Sequence, residues 1–264
     1  MDNPAETYER YMVPVLFAPS AERMVELARP RPGQRVLDVG CGTGIVARRA
    51  AACVGDNGHI TGLDASPGML AVARAAAGRE QRSIEWREGR AEALPFSDGE
   101  FDLVLCQYAL MFFTDPSAAL AEMRRVLADG GRAVLSVWQG LDRHPFYQLL
   151  DRAIERHLGT SGVRDIFALG DAAGLRDRLL KAGFRRVEIE AYELLARFPD
   201  PDGFLAGEID VDTAAIPAMQ HLDAKARADL TGQIRAEMAE PLRSVTIGGH
   251  VQLPFQAHLA RAER

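Results

Sequence analysis

An α/β fold, built on a mostly parallel sheet with helices on both faces, is predicted by three observations. Apolar runs of strand length alternate with segments of helical period from Arg35 to Trp138. The first run leads into a turn containing Gly40, Gly42 and Gly44, which opens an alanine-rich helix. Hydrophobic residues make up 47% and charged residues 26% of the 264, the balance of a globular chain with a sizeable core.

The elements follow in order. Tyr8, Tyr11, Met12 and Val15 recur at helical spacing, a second helix runs from Ser20 to Ala28, and Pro30-Arg31-Pro32-Gly33 breaks the chain. Residues 1–34 therefore form an N-terminal helical flap. Arg35 to Val39 is a buried strand, the helix after the glycine turn spans about Thr43 to Ala52, and His59 to Asp64 is the second strand. Ser66-Pro67 starts the next helix, the serine oxygen meeting orphan amides and the proline standing where no amide is needed. Ser83 to Arg87 and Phe101 to Cys106 are the third and fourth strands. Asp115-Pro116 caps a helix with Leu120, Met123, Val126 and Leu127 on one face, Gly130-Gly131 ends that connection, and Arg132 to Trp138 is the fifth strand. Beyond it come a helix from Asp171 to Ala182 stopped by Gly183, a sixth strand from Arg186 to Leu195, and a final strand from Gln252 to Ala260. Pro254 requires an edge or a bulge in that last strand. Residues 199–249 are mostly helical and break the β/α rhythm as a cap-like insertion in the domain spanning 35–264. Its amphipathic segment Ala224 to Ala239 also suits a dimer contact.

A net charge of −6 argues against DNA, RNA or an anionic membrane as the main partner. No run of about 18 apolar residues occurs, and the start MDNPAETYERYM is polar and acidic, which disfavours a membrane span and export. Cys41, Cys53 and Cys106 form no C-x-x-C pair and lie beside no metal-spaced histidines, so a reducing cytoplasm and no metal site are expected. Cys41 and Cys106 read as small buried fillers.

The glycine turn lies where open parallel sheets bind ligands, and its glycines let backbone amides approach one. Asp64 closes the second strand, where a carboxylate can accept from both hydroxyls of a ribose, implying an adenosine-type ligand. Nicotinamide cofactors share this plan, but their loop reads G-x-G-x-x-G. Here the order is Gly40-x-Gly42-x-Gly44 preceded by Asp38, with less provision for a pyrophosphate.

Four stretches in order, VLDVGCGTG, GLDASPGML, EALPFSDGEFDLVLC and LADGGRAVLSVW, resemble the successive motifs of class I S-adenosylmethionine-dependent methyltransferases. The resemblance is closest to the ubiquinone/menaquinone-biosynthesis C-methyltransferase-like group and covers Val36 to Trp138, with a looser extension over Ala168 to Phe184. It implies a Rossmann-like seven-stranded sheet whose last strand is antiparallel and inserted beside the fifth. It also implies that Asp38, Gly40 and Gly42, with Cys41 and Gly44 of the same loop, line the methionine end of the cofactor. Asp64 then holds the ribose, and Ser66 and Met69 follow, Met69 beside the adenine. Related sequences usually read Gly-Asp before A-E-x-L-P-F, the Asp taking the adenine amino group. Here Gly89-Arg90 stands there, and arginine cannot accept a hydrogen bond. The Ala91 amide is left as the adenine contact, with Glu92 as a substitute acceptor. Gln107 matches the position facing the methionine portion and the incoming substrate, with Tyr108 its neighbour.

Methyl transfer from a sulfonium is an in-line displacement that needs positioning, and a base only where the acceptor must lose a proton. His144, after the fifth strand, is the candidate base and His250 the second, while His59, His157, His221 and His258 read as structural or exposed. Tyr8 and Tyr11 sit on the flap, where an aromatic face can meet the sulfonium cation, and Tyr11 is carried as both a cofactor contact and a catalytic candidate. Trp138 reads as core and Phe146 as an acceptor-pocket candidate. The expectation is a methyltransferase acting on a small-molecule acceptor, releasing S-adenosylhomocysteine, as a monomer or homodimer. An RNA or protein methyltransferase, an inactive cofactor-binding regulatory protein and a nicotinamide oxidoreductase are the alternatives.

Overall fold

A computed structural model describes residues 4–161, 163–214 and 222–264. Its strands are β1 (Arg35–Val39), β2 (His59–Asp64), β3 (Glu85–Glu88), β4 (Phe101–Gln107), β5 (Leu127–Trp138), β6 (Arg185–Phe198), β7 (Thr246–Ile247) and β8 (His250–Glu263). They join in the order β3-β2-β1-β4-β5-β8-β6, with β7 paired to β8. The first five pair in parallel, and β8 runs antiparallel to β5, from Arg132 opposite Glu263 to Trp138 opposite Ala257. The two-residue β7 is the addition to the seven strands expected. The fifth strand starts earlier than its sequence suggests, because Leu127 pairs with Phe101 before a register shift absorbs the glycine pair.

The helices are α1 (Pro4–Thr7), α2 (Ala18–Ala28), α3 (Ile45–Val54), α4 (Pro67–Arg79), α5 (Pro116–Val126), α6 (Pro145–Leu158), α7 (Ala172–Lys181), α8 (Pro201–Ala214) and α9 (Ala224–Ser244). A π-helical stretch, Tyr8–Phe17, joins α1 to α2, so the flap is one continuous helical run. Its wide turns carry Pro14, which has no amide to donate, and Ala18 N–H reaches back five residues to the Val13 carbonyl. α3 begins two residues later than expected because Gly44, at φ +82°, cannot be helical.

The chain forms two compact units. The first comprises the residues through Trp138, Leu169–Tyr192 and Ala257–Arg264; the second comprises Gln139–Ala168 and Glu193–Gln256. In the first, period-2 alternation divides the sheet's side chains between two apolar layers. Leu103 and Leu105 join Val36, Ile60 and Val134 under α2 and α3, while Val104 and Cys106 join Leu37, Leu63 and Leu135 under α5 and α7. In the second, α9 packs against α6 and α8. Residues 215–221, the middle of the expected helical insertion, lie outside the described residues, and His221 with them. No described helix is long and apolar enough to cross a membrane.

Helix starts follow the local code. Ser66 accepts from Met69 N at 3.3 Å, Asp171 accepts from Ala173 N and Gly174 N, and Asp115 accepts from Ser117 N at 2.9 Å and Ala118 N at 3.0 Å. Asp115→Ala leaves those two amides to solvent and should cost about 1 kcal/mol. A urea titration followed by helical circular dichroism reads this as a lower midpoint, and an unchanged midpoint would refute the cap.

Candidate functional site

β1 lies between β2 and β4, so the carboxyl ends of these three strands border the place where the strand order reverses, the usual ligand crevice of such sheets. The glycine loop folds back onto the end of β2. Gly40 N and Cys41 N both donate to the Leu63 carbonyl, at 2.8 and 3.0 Å. Gly42 N donates to Asp64 Oδ2 at 2.8 Å, and Ser66 N donates to Oδ1 at 2.8 Å. Gly40, Gly42 and Gly44 all have positive φ, at +67°, +53° and +82°. A Cβ on Gly44 or Gly62 would collide with the Trp86 ring, whereas one on Gly42 would meet nothing within 4 Å. The first two glycines are close-packing requirements. Gly42 faces open space.

Acidic groups gather around this opening. Asp38, at the end of β1, is 1% exposed and accepts from Ala47 N at 3.0 Å, and burial pushes its carboxyl up to about 7. The Tyr8 hydroxyl is held far above its ordinary range by burial and then by the charges of Glu9, Asp64 and Asp38. Tyr8 stacks on Phe17 at 5.0 Å, and the Phe17 carbonyl accepts from Gln107 Nε2 at 3.1 Å. Gln107 Oε1, Glu9 Oε2 and Thr43 Oγ1 are buried without a hydrogen-bond partner among the described residues. Buried polar atoms are rarely left so, and a donor-rich ligand would satisfy them.

The arrangement fits an adenosine sulfonium. Each Asp64 oxygen retains a lone pair after its backbone bond, enough for two vicinal hydroxyls. The unpaired Gln107 oxygen and the Asp38 carboxylate suit an ammonium group, and the excess of acids suits a cation over a pyrophosphate.

Of the residues named from sequence, Asp38, Gly40, Cys41, Gly42, Gly44, Asp64 and Gln107 lie on this loop and the ends of β1, β2 and β4. Ser66 is the exposed cap of α4, Met69 is half-buried in its first turn, and Ala91 is buried at 4% exposure. Arg90 turns onto the surface, its guanidinium on Glu92 Oε1 at 3.3 Å and Thr114 Oγ1 at 2.9 Å. Glu92 Oε1 also takes Thr114 N at 2.8 Å, so that oxygen organises the start of α5 and is not left over for an adenine.

Two expectations change. Tyr11 is 46% exposed with the Arg10 guanidinium 4.7 Å from its ring centre; helical phase gives Tyr8, not Tyr11, the inward position. His144 is 2% exposed, its Nδ1 on the Gly140 carbonyl at 3.2 Å and its Nε2 accepting from Gln256 N at 3.1 Å. Burial holds its pKa below the usual imidazole value. With Nε2 occupied, the ring has no free lone pair for a substrate proton, and it serves to join the start of α6 to β8. His250 is exposed at the start of β8, His59 pairs with Glu85 and His157 with Glu237, and the buried His258 bonds the Gly170 carbonyl. Trp138 is core, stacked on Tyr108 at 3.6 Å.

Sequence reasoning missed Trp86, Glu9 and the Phe17 carbonyl. It also missed the Tyr192 hydroxyl, which bonds that of Tyr108. The glycines at 44 and 62 were the available signal for a large neighbour.

A methyltransferase-domain family model matches residues 37–135. The aklanonic acid methyltransferase DauC of Streptomyces sp. is 39% identical over 132 residues, 50% of this chain and 60% of DauC. The ubiquinone/menaquinone biosynthesis C-methyltransferase UbiE of Roseobacter denitrificans is 33% identical over 186 residues, 70% of this chain and 68% of the relative. For UbiE of Ruegeria and of Shewanella frigidimarina the covered share is 52% and 45%, so the chain spans about half the length of several curated relatives it matches. The YcgJ protein from Bacillus subtilis shares the fold, with a TM-score of 0.61 at 22% identity over 93% of this chain and 97% of that one.

Asp38 offers a test of the site's electrostatics. Its carboxyl moves from 3.8 to about 7 on folding, so the folded state holds an extra proton between those values and stability falls as pH rises through that window. Asp38→Asn keeps an acceptor for Ala47 N and removes this loss. It should stabilise the protein at pH 8 by at most about 4 kcal/mol and change little at pH 4, read by urea unfolding. The same effect at both pH values would contradict the assignment.

Proposed function

Because the chain belongs to the class I S-adenosylmethionine-dependent methyltransferase family, we propose that it transfers the methyl group of S-adenosylmethionine to a small-molecule acceptor and releases S-adenosylhomocysteine. The observation that carries this reading is the convergence of Asp38, Asp64 and the open face of Gly42 at the ends of β1 and β2.

Asp64 binds the ribose hydroxyls through the lone pairs left by Gly42 N and Ser66 N. Asp38 and Gln107 Oε1 hold the ammonium end, and the Ala91 backbone stands for the adenine contact that Arg90 cannot make. Tyr8 covers the loop with an aromatic face, and its Phe17 partner fixes Gln107. When bound, the cofactor supplies a methyl group activated by its sulfonium charge. The chain's part is to orient that group, exclude water and present acids that favour a cation. DauC and UbiE are named for methylation of small molecules, which supports the same acceptor class here. We assign the choice of acceptor to the unit of Gln139–Ala168 and Glu193–Gln256. The free thiols of Cys41, Cys53 and Cys106 suit a reducing cytoplasm, where we place the enzyme.

Transfer of labelled methyl from the cofactor to quinol, phenol and amine panels tests the activity. Binding without turnover across the panels would favour a regulatory role, and no binding at millimolar cofactor would refute the reading.

At 100 times its dissociation constant the cofactor should stabilise the protein by about 2.7 kcal/mol, and Asp64→Ala should abolish the resulting thermal shift. A retained shift would overturn the ribose assignment. Affinity should also weaken below pH 7, by up to about tenfold per pH unit, because Asp38 must lose its proton to meet a cation. Calorimetry at pH 6 and 8 checks this, and equal affinities would remove Asp38 from the binding step.

A further inference from the structure

Tyr108 follows Gln107 directly and does not face where strand alternation would put it. Along β4, Leu103 and Leu105 belong to the apolar layer under α2 and α3, and Val104 and Cys106 to the layer under α5 and α7. A period of two assigns residue 108 to the second of these. Instead Tyr108 takes φ +48°, which residues other than glycine rarely adopt, and its ring lies 6.1 Å from Phe17 and stacks on Trp138. The left-handed turn brings two consecutive side chains, Gln107 and Tyr108, onto one turn of the flap.

The hydroxyls gathered there form a chain with a fixed direction. The Leu16 carbonyl can only accept, so Ser20 donates to it, at 2.9 Å. Ser20 has no second proton, so Tyr108 donates to Ser20 Oγ at 3.3 Å, and Tyr192 of β6 donates to Tyr108. One residue beyond Leu16, the Phe17 carbonyl takes Gln107 Nε2 at 3.1 Å. That carbonyl admits only the nitrogen of the amide, which fixes the opposite end as Oε1, the buried acceptor without a hydrogen-bond partner among the described residues. An amide turned over would present two N–H groups in the same place, and these repel a cation.

We infer that Tyr108 is a positioning residue for cofactor binding: its hydroxyl, through Ser20, holds the Phe17 carbonyl on Gln107 Nε2 and so keeps Gln107 Oε1 turned to the cofactor's ammonium group. The inference rests on the methyltransferase reading and divides the cofactor into two ends. A tyrosine that only filled space would affect the adenosine end and the ammonium end alike.

Calorimetry on the full chain with S-adenosylhomocysteine and with 5′-methylthioadenosine, which keeps the adenosine and thioether but has no ammonium group, tests it. Tyr108→Phe should weaken S-adenosylhomocysteine by about tenfold, the share of a charge-assisted hydrogen bond, and leave methylthioadenosine within about twofold. Ser20→Ala spares the stack on Trp138 and should show the same selective loss, which carries the test should Tyr108→Phe fail to fold by circular dichroism. Gln107→Ala should lose the same selectivity, and Tyr108→Phe added to it should cost nothing further, because the effect runs through Gln107. Equal losses for both ligands, no loss in either hydroxyl variant, or additive losses in the double variant would overturn the inference while the methyltransferase reading stands. Failure of the unsubstituted protein to bind S-adenosylhomocysteine would refute that reading and the inference with it.

Discussion

The glycine loop has its shape because the end of β2 holds it. Leu63 gives its carbonyl to two successive loop amides and Asp64 gives a carboxylate oxygen to a third, so three of the loop's donors are satisfied by one strand end. β2 is itself fixed on both sides, by β1 and by β3. Trp86 of β3 fills the space left by the missing side chains at Gly44 and Gly62. Loop, strand and tryptophan therefore form one packed assembly, and the open side at Gly42 is what remains. These amides are spent within the protein, and the open side presents the bare backbone at Gly42 and the remaining lone pairs of Asp64.

The same assembly explains why acids survive burial at this place. Asp64 accepts from two backbone amides, whereas Asp38 accepts from one and burial pushes its carboxyl up to about 7. The helical run above them is tied down by a buried guanidinium: Arg48, 3% exposed, reaches Glu9 at 2.8 Å and Glu80 at 3.3 Å. Glu9 adds its charge to the acids facing Tyr8. Beside burial, the like charges in this cluster raise the pKa of Tyr8 and of Asp38.

Burial of charge follows a different rule in the second unit. Asp151 is surrounded by donors and holds the chain between α6 and the short helix at Arg164–Phe167, while Glu208 rests on one phenol among rings. His144 belongs with Asp151: its two nitrogens are spent on backbone groups, and it tightens the chain without offering a base. Asp151 and Glu208 thus differ according to how many of their bonds the fold completes.

The strand and helix alternation, the glycine loop, Asp64 and the serine and aspartate caps were legible because each is a local pattern. Strand period, positive φ and capping geometry are set by residues within a few positions of one another. The antiparallel last strand and its place beside β5 came through family resemblance, since nothing local in residues 250–263 specifies a partner more than a hundred positions away. Which tyrosine of the flap turns inward, where Arg90 points and whether His144 keeps a lone pair were decided by tertiary structure. Each depends on a helix phase or a distant backbone group that spacing does not encode. The pairing of Tyr147 with Glu208, 61 residues apart, is of the same kind. The sequence by itself determined the β/α fold and the loop at its strand ends. The fold decided which acids, rings and nitrogens complete their bonds within the protein and which retain capacity for a ligand, because that depends on contacts made only when distant segments pack.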